Sequence, residues 1–217
     1  RDQGNVTGPA GTPNPLTLMT VTPLDTDPRS GVELRNFALV GTEQGTFYNG
    51  ITVRYAPGAI IDRLYLRGAS PGFEGFPPGE TFGLSVWRSD NVTLSNTEID
   101  GRHPTTNAPV CSSPFGWNFA DGGQVINVNA HDSLWGMPTF YESNGYTTIN
   151  LTSHRHGSGP SRTNGNGINQ ENVGGQIRHI RPNIICNSGT GTSGMHMTLN
   201  NGNANAMDVV IIDPVFD

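Results

Sequence analysis

The chain has 217 residues, with 18 Asp and Glu against 12 basic residues, all of them Arg, and a formal net charge of −6. Apolar residues make up 34% and charged residues only 14%, so charge-driven disorder is excluded. The absence of any basic run excludes a phosphate-contacting grip on nucleic acid or anionic lipid. No apolar run approaches the roughly 18 residues of a membrane-spanning helix, so no membrane insertion is expected.

Residues 1–30 hold several Gly and Pro around one apolar patch, Leu16 to Val21, and read as a loop-rich leading segment with one strand. From residue 31 to 217 a template recurs, in which a β-branched or apolar residue, a spacer and a large aliphatic are followed five residues later by another aliphatic. VELRNFALVG, AIIDRLYLRG and VTLSNTEIDG carry it most clearly, each closed by Gly. INVNAHDS, TTINLTSHRH, RHIRPNIIC and VVIIDPVFD are further copies. With Leu34, Ile61, Leu94, Val128, Leu151, Ile180 and Ile211 as anchors, successive spacings are 27, 33, 34, 23, 29 and 31 residues. A second kind of strand precedes most anchors by roughly ten residues, as GITVRY, GLSVWR, GWNFAD, TFYES, GINQEN and GMHMTL, each followed by a polar turn. Alternation places Ile51, Val53, Leu84, Val86, Trp117, Phe119, Ile168, Met195 and Met197 inward.

The same two-strand phrase returning in the same phase, without helical periodicity, predicts an all-β solenoid of about six to seven rungs with loops of variable length. Cys111 and Cys186 are too few for a disulfide framework and are not spaced as zinc ligands; two thiols and one long-range disulfide both remain open.

The phrase FGLSVWRSDNVTLSNTEIDG, residues 82–101, resembles a rung of the pectate-lyase-like right-handed parallel β-helix superfamily, and the architectural pattern covers about residues 30 to 217. That superfamily includes polysaccharide lyases and hydrolases and the tail spikes and tail fibres of bacteriophages, so the resemblance addresses fold before function. The polygalacturonase-like signature is absent: Asn96-Thr97-Glu98 stands where Asn-Thr-Asp would, and His156-Gly157 follows Arg155 rather than a glycine. The resemblance therefore implies a β-helix segment of a phage tail fibre, tail spike or minor tail protein, one part of a longer chain. It would act in the virion tail or outside the cell, recognise a bacterial surface polysaccharide, assemble as a homotrimer and need no cofactor.

In stacked rungs a surface feature is built from one residue per rung, at a spacing of about 4.8 Å. On the outward side of the Gly-introduced strands, Trp87 and Tyr141 offer rings for sugar contact, and Arg54, Asn118, Asn169 and His196 offer hydrogen bonds. Asp121, Glu142 and Glu171 fall at similar points of three consecutive rungs and supply the carboxylates of the alternative function, a secreted polysaccharide lyase or glycoside hydrolase. A purely structural spacer is the third reading. His154 and His156, two residues apart on one strand, would share a face, but no third ligand accompanies them and no metal is expected. Arg178, His179 and Arg181 form the densest cationic spot, for which a structural role is the first expectation and contact with an acidic sugar or a neighbouring subunit the alternative.

Overall fold

The structure is a computed structural model and describes residues 16–21, 31–40, 47–68, 82–108, 111, 113–133, 138–156, 167–185, 195–199 and 207–216. Among them every regular element is a strand, and every strand pairing is parallel. Seven strands stack into a first sheet: β1 (Leu16–Val21), β3 (Phe47–Arg54), β5 (Phe82–Trp87), β8 (Ser113–Asn118), β11 (Thr139–Tyr141), β14 (Ile168–Val173) and β17 (Met195–Leu199). The intervening strands form a second stack, with β2 (Glu33–Val40) and β4 (Ile60–Arg67) unbroken. Thereafter each strand divides in two: β6 (Thr93–Ser95) and β7 (Glu98–Asp100), β9 (Gln124–Ile126) and β10 (Asn129–His131), β12 (Thr147–Ile149) and β13 (Thr152–His154). The series closes with β15 (Gly175–Ile180) and β16 (Asn183–Ile185), then β18 (Met207–Ile212) and β19 (Val215–Phe216).

The chain is thus a parallel β-helix, as the recurring phrase predicts. Five turns have the three-strand form, β5–β7, β8–β10, β11–β13, β14–β16 and β17–β19, slightly fewer than the rungs expected. The predicted strand at Leu16 to Val21 is the first member of the first sheet.

A left-handed residue divides those strands. Asn36, Arg63, Asn96, Asn127, Asn150, Arg181 and Asp213 occupy equivalent places with φ between 48° and 58°. Asn adopts this conformation more readily than most residues, and here its side chain adds a ladder. Asn150 Nδ2 donates to Asn127 Oδ1 (2.7 Å), Asn127 Nδ2 to Asn96 Oδ1 (3.1 Å), and Asn96 Nδ2 to Asp62 Oδ1 (2.8 Å).

Because the left-handed residue breaks the two-residue alternation, its neighbours point to opposite sides of the wall. This corrects three anchors. Ile61, Leu94, Val125, Thr148, His179 and Ile211 are the residues in register. Val128 and Leu151 lie three residues later, just past the left-handed residue, and Ile180 lies one later. Val128 and Leu151 are still buried, but Ile126, Ile149 and Ile180 face outward, in register with Ser95.

The core is a column of Leu84, Val86, Phe115, Trp117, Phe140 and Ile168 from the first sheet, facing Ile61, Leu94, Val125, Ile99, Leu151 and Ile184. Trp117 is accommodated by Gly123, at φ +84°, where a Cβ would stand 2.9 Å from the indole and 2.6 Å from the Val92 carbonyl oxygen. Toward the last full turn the core becomes polar. Tyr146 donates its hydroxyl to Gln170 Oε1 (2.8 Å), Gln170 Nε2 lies 3.2 Å from His179 Nε2, and His179 Nδ1 lies 2.8 Å from Thr148 Oγ1. If the amide donates to Nε2, the ring proton sits on Nδ1 and points at Thr148, and each group has a partner. Cys111 is buried and its Sγ donates to the Ser113 carbonyl (2.9 Å), with burial pushing its pKa up to about 12; Cys186 lies outside the described residues.

Candidate functional site

The outward side of the first sheet carries two columns. Arg54, Trp87, Asn118, Tyr141 and Glu171 are in register on β3, β5, β8, β11 and β14. Thr52, Ser85, Gly116, Thr139, Asn169 and His196 make the column beside it. Four predicted contact residues therefore do align, and Glu171 completes their column. Asn169 stands one column away, donating Nδ2 to Glu171 Oε1 at 2.7 Å. The His196 side chain lies outside the described residues. Arg54 is exposed, Trp87, Tyr141 and Glu171 are half-buried, and Asn118, only 4% exposed, lies beneath rather than on the surface.

Each of these strands ends in a left-handed residue, Tyr55, Arg88, Phe119, Glu142 or Asn172, with φ from 46° to 54°. The backbone amides of Tyr55, Arg88, Phe119 and Glu142 bond the carbonyl of the next turn, so this edge is also a stack. Phe119, expected inside by alternation, is turned out of the core by that conformation and is half-buried. Its ring lies edge-to-face between Trp87 (4.8 Å between centroids) and Tyr141 (5.5 Å). The Arg54 guanidinium lies 5.5 Å from the Trp87 ring centre and the Arg88 guanidinium 5.7 Å from that of Phe119, close enough for cation–π attraction. At the far end the Tyr141 hydroxyl bonds the Glu142 carboxylate, which raises its pKa above the usual phenol value, and the Glu171 charge adds to the effect. The result is a continuous edge of rings, cationic at Arg54 and Arg88 and anionic at Glu142 and Glu171.

Phe119 and Arg88 are the residues of this edge that the sequence reading missed, because nothing in NFADGG or WRSDN marks the left-handed residue in advance.

The carboxylates expected to form a row do not share a column. Asp121 belongs with Asp90 and Asn144, Glu142 with Phe119 and Asn172, and Glu171 with Tyr141. Asp121 Oδ1 is engaged by the backbone amide (2.9 Å) and side-chain amide (2.8 Å) of Asn144. An acid and base pair facing one sugar needs two carboxylates at a fixed separation across it, and this placement offers a turn-capping aspartate and two glutamates beside a tyrosine.

A second polar cluster lines the outside of β7, β10 and β13. Asp100 is gripped by Arg102 through Nε (2.8 Å) and Nη2 (2.7 Å), and Asp132 by Arg155 through the same atoms at 2.8 and 2.7 Å. Arg67 lies 3.6 Å from Asp100, and Arg102 3.4 Å from Asp132. His131 reaches Asp132 through Nδ1 (2.7 Å) and Glu98 through Nε2 (3.1 Å). Asp100, His131 and Asp132 have donor atoms within 4.8 Å of one another, but two guanidinium groups already occupy the carboxylates in bidentate fashion, so the set does not fit a cation. Arginine contacts hold the Asp132 carboxyl well below the usual range against the opposing effect of burial.

His154 and His156 do not converge. Arg155 between them is left-handed (φ 55°), so His154 stacks outside on His131, centroids 5.0 Å apart, while His156 turns inside between Ser133 (2.7 Å) and Ser153 (2.9 Å). Burial pushes His154 down to about 4, aided by the Arg155 charge, and His156 down to about 3. The cationic spot divides likewise: His179 is buried, and Arg178 and Arg181 are exposed in separate outer columns.

No protein-family model, curated protein or solved structure matches this chain.

Proposed function

We propose that this β-helix is a glycan-recognition segment of the kind found in bacteriophage tail fibres and tail spikes, binding a host-surface polysaccharide along the outer edge of its first sheet. The observation that carries the reading is the in-register edge of Arg54, Trp87, Arg88, Phe119 and Tyr141. Rings and guanidinium groups repeated once per turn, about 4.8 Å apart, match an extended chain of repeating sugars better than a single small molecule. The rings offer apolar surface to sugar C–H groups, and Arg54, Glu142 and Glu171 offer hydrogen bonds to hydroxyls. Binding without cleavage is favoured over depolymerase action, because each candidate carboxylate is already engaged, Asp121 by the Asn144 amides, Glu142 by the Tyr141 hydroxyl and Glu171 by the Asn169 amide.

The test is retention and cleavage on a panel of bacterial surface polysaccharides. Retention of one of them without new reducing or unsaturated ends is the expected result, and Trp87→Ala should weaken it at least roughly tenfold, about 1.4 kcal/mol, while leaving the fold intact. New ends would transfer the protein to the depolymerases. No retention of any glycan would leave it a structural spacer.

A further inference from the structure

The interior changes character along the helix. Turns β3–β4 and β5–β7 enclose Ile51, Val53, Ile61, Leu84, Val86 and Leu94, and the described residues place no histidine or carboxylate among them. Turns β11–β13 and β14–β16 instead enclose two polar chains, each built on an imidazole. In one, His179 lies between Thr148 Oγ1 (2.8 Å) and Gln170 Nε2 (3.2 Å), with the Tyr146 hydroxyl on the far side of Gln170. In the other, His156 lies between Ser153 Oγ (2.9 Å) and Ser133 Oγ (2.7 Å), and Ser153 donates to the Gly167 carbonyl. His156 is 2% exposed and His179 0%.

Neither interior site is built for a cation. A second proton on His179 would stand against the Gln170 amide hydrogens, and burial is the only influence on this ring, with no carboxylate to balance a charge. His156 is held neutral first by burial, then by His154 and His131; Asp132 and the Ala130 carbonyl oppose them and lose. The results are about 4 for His179 and about 3 for His156, against about 6.5 for a free imidazole. On the outside of the same turns His154 is pushed down to about 4 by burial and by Arg155 and His131, with Asp132 and Glu98 opposing.

We propose that these two turns form an acid-operated joint, at which mild acid opens the helix between β11 and β16 while the turns from β3 to β8 stay stacked. In a solenoid each turn contacts only its neighbours, so a stretch of turns opens without the rest. Opening lets each imidazole take the proton it refuses when folded. The advantage of the closed form is therefore complete above about pH 6.5 and is lost as the pH falls toward 4. The carboxylates act in another window. Asp62 is held below the usual range by its Asn96 and Ser95 hydrogen bonds, and Asp132 by Arg155 and His131 against the effect of burial, so what they contribute is lost only below about pH 4. Tyr141, Glu142 and Glu171 stand on the opening turns, so acid also removes the far end of the ring edge. That consequence rests on the glycan reading; the opening itself does not.

The experiment is amide hydrogen exchange by mass spectrometry at pH 7.5 and pH 5, on the protein without glycan, expressed as protection so that the intrinsic pH dependence of exchange is removed. Each buried ring shifts the opening equilibrium about thirtyfold over this interval, so peptides from 139–156 and 167–185 should lose at least roughly a thousandfold in protection. Peptides from 47–67 and 82–100 should lose less than about tenfold. His156→Asn with His179→Gln supplies amides that hydrogen-bond but do not titrate, and should recover about a thousandfold of the loss. If that pair does not fold, His179→Gln alone should recover about thirtyfold. Equal loss in all four segments, no loss in the histidine turns, or a folded variant that opens at pH 5 as the wild type does would overturn the proposal.

Discussion

Lowering the pH should destabilise the fold through the buried polar chain around His179. The side chain is 0% exposed, and burial pushes it down to about 4 from the 6.5 of a free imidazole. The unfolded chain takes up this proton as the pH falls through about 6.5, while the folded chain resists until about 4. The folded state thus keeps its full advantage above pH 6.5 and loses it on the way down to pH 4. A gap of about 2.5 pH units is worth about 3 kcal/mol, of which about 2.5 kcal/mol is lost by pH 4.5. That is a large fraction of the stability of an ordinary domain. The assay is urea unfolding at a series of pH values, for the wild type and for His179→Leu. The variant leaves Thr148 Oγ1 and Gln170 Nε2 short of a partner, so at pH 7.5 it should be weaker by about 1–3 kcal/mol. It should then lose less on acidification, and the two curves should approach each other between pH 6.5 and 4. Parallel curves through that window would refute the reasoning.

Three further outcomes follow from the geometry. Asn127→Ala removes both ladder bonds and places a Cβ without a compensating side chain at φ 52°; chemical denaturation should show a loss of about 2 kcal/mol. Gly123→Ala meets the Trp117 indole and the Val92 carbonyl and is strained at positive φ, so its melting temperature should fall by several degrees, about 2 kcal/mol or more, with a changed tryptophan fluorescence. Asp132→Ala strips Arg155 of its carboxylate and His131 of one partner, and should cost about 2 kcal/mol at low salt. A loss that salt removes entirely would mean that screened charge attraction alone, rather than short bidentate bonds, held this cluster.

The ring edge has the same logic as the core beneath it, in that register makes neighbours of residues far apart in sequence. Arg54 and Trp87 were legible because each stands four residues after the glycine that introduces its strand, and Asn118 and Tyr141 because alternation in GWNFAD and TFYES turns them outward; both patterns become register once strands stack. The carboxylates failed because Asp121 and Glu142 sit in turns, where counting from a strand no longer reports direction.

The sequence by itself determined the β-helix. Recurring short strands with polar turns leave no periodicity for a helix to use, and each strand has an apolar side that only stacking can bury. Tertiary structure alone decided which way many side chains point. A single left-handed residue, at Asn127, Asn150, Arg155 or Phe119, reverses the alternation that follows, and its φ is imposed by the turn above and below. That is why Val128 and Leu151 lie inside although Ile126 and Ile149, two residues earlier, face out, why His156 turns in while His154 stays outside, and why Phe119 lies on the edge between Trp87 and Tyr141.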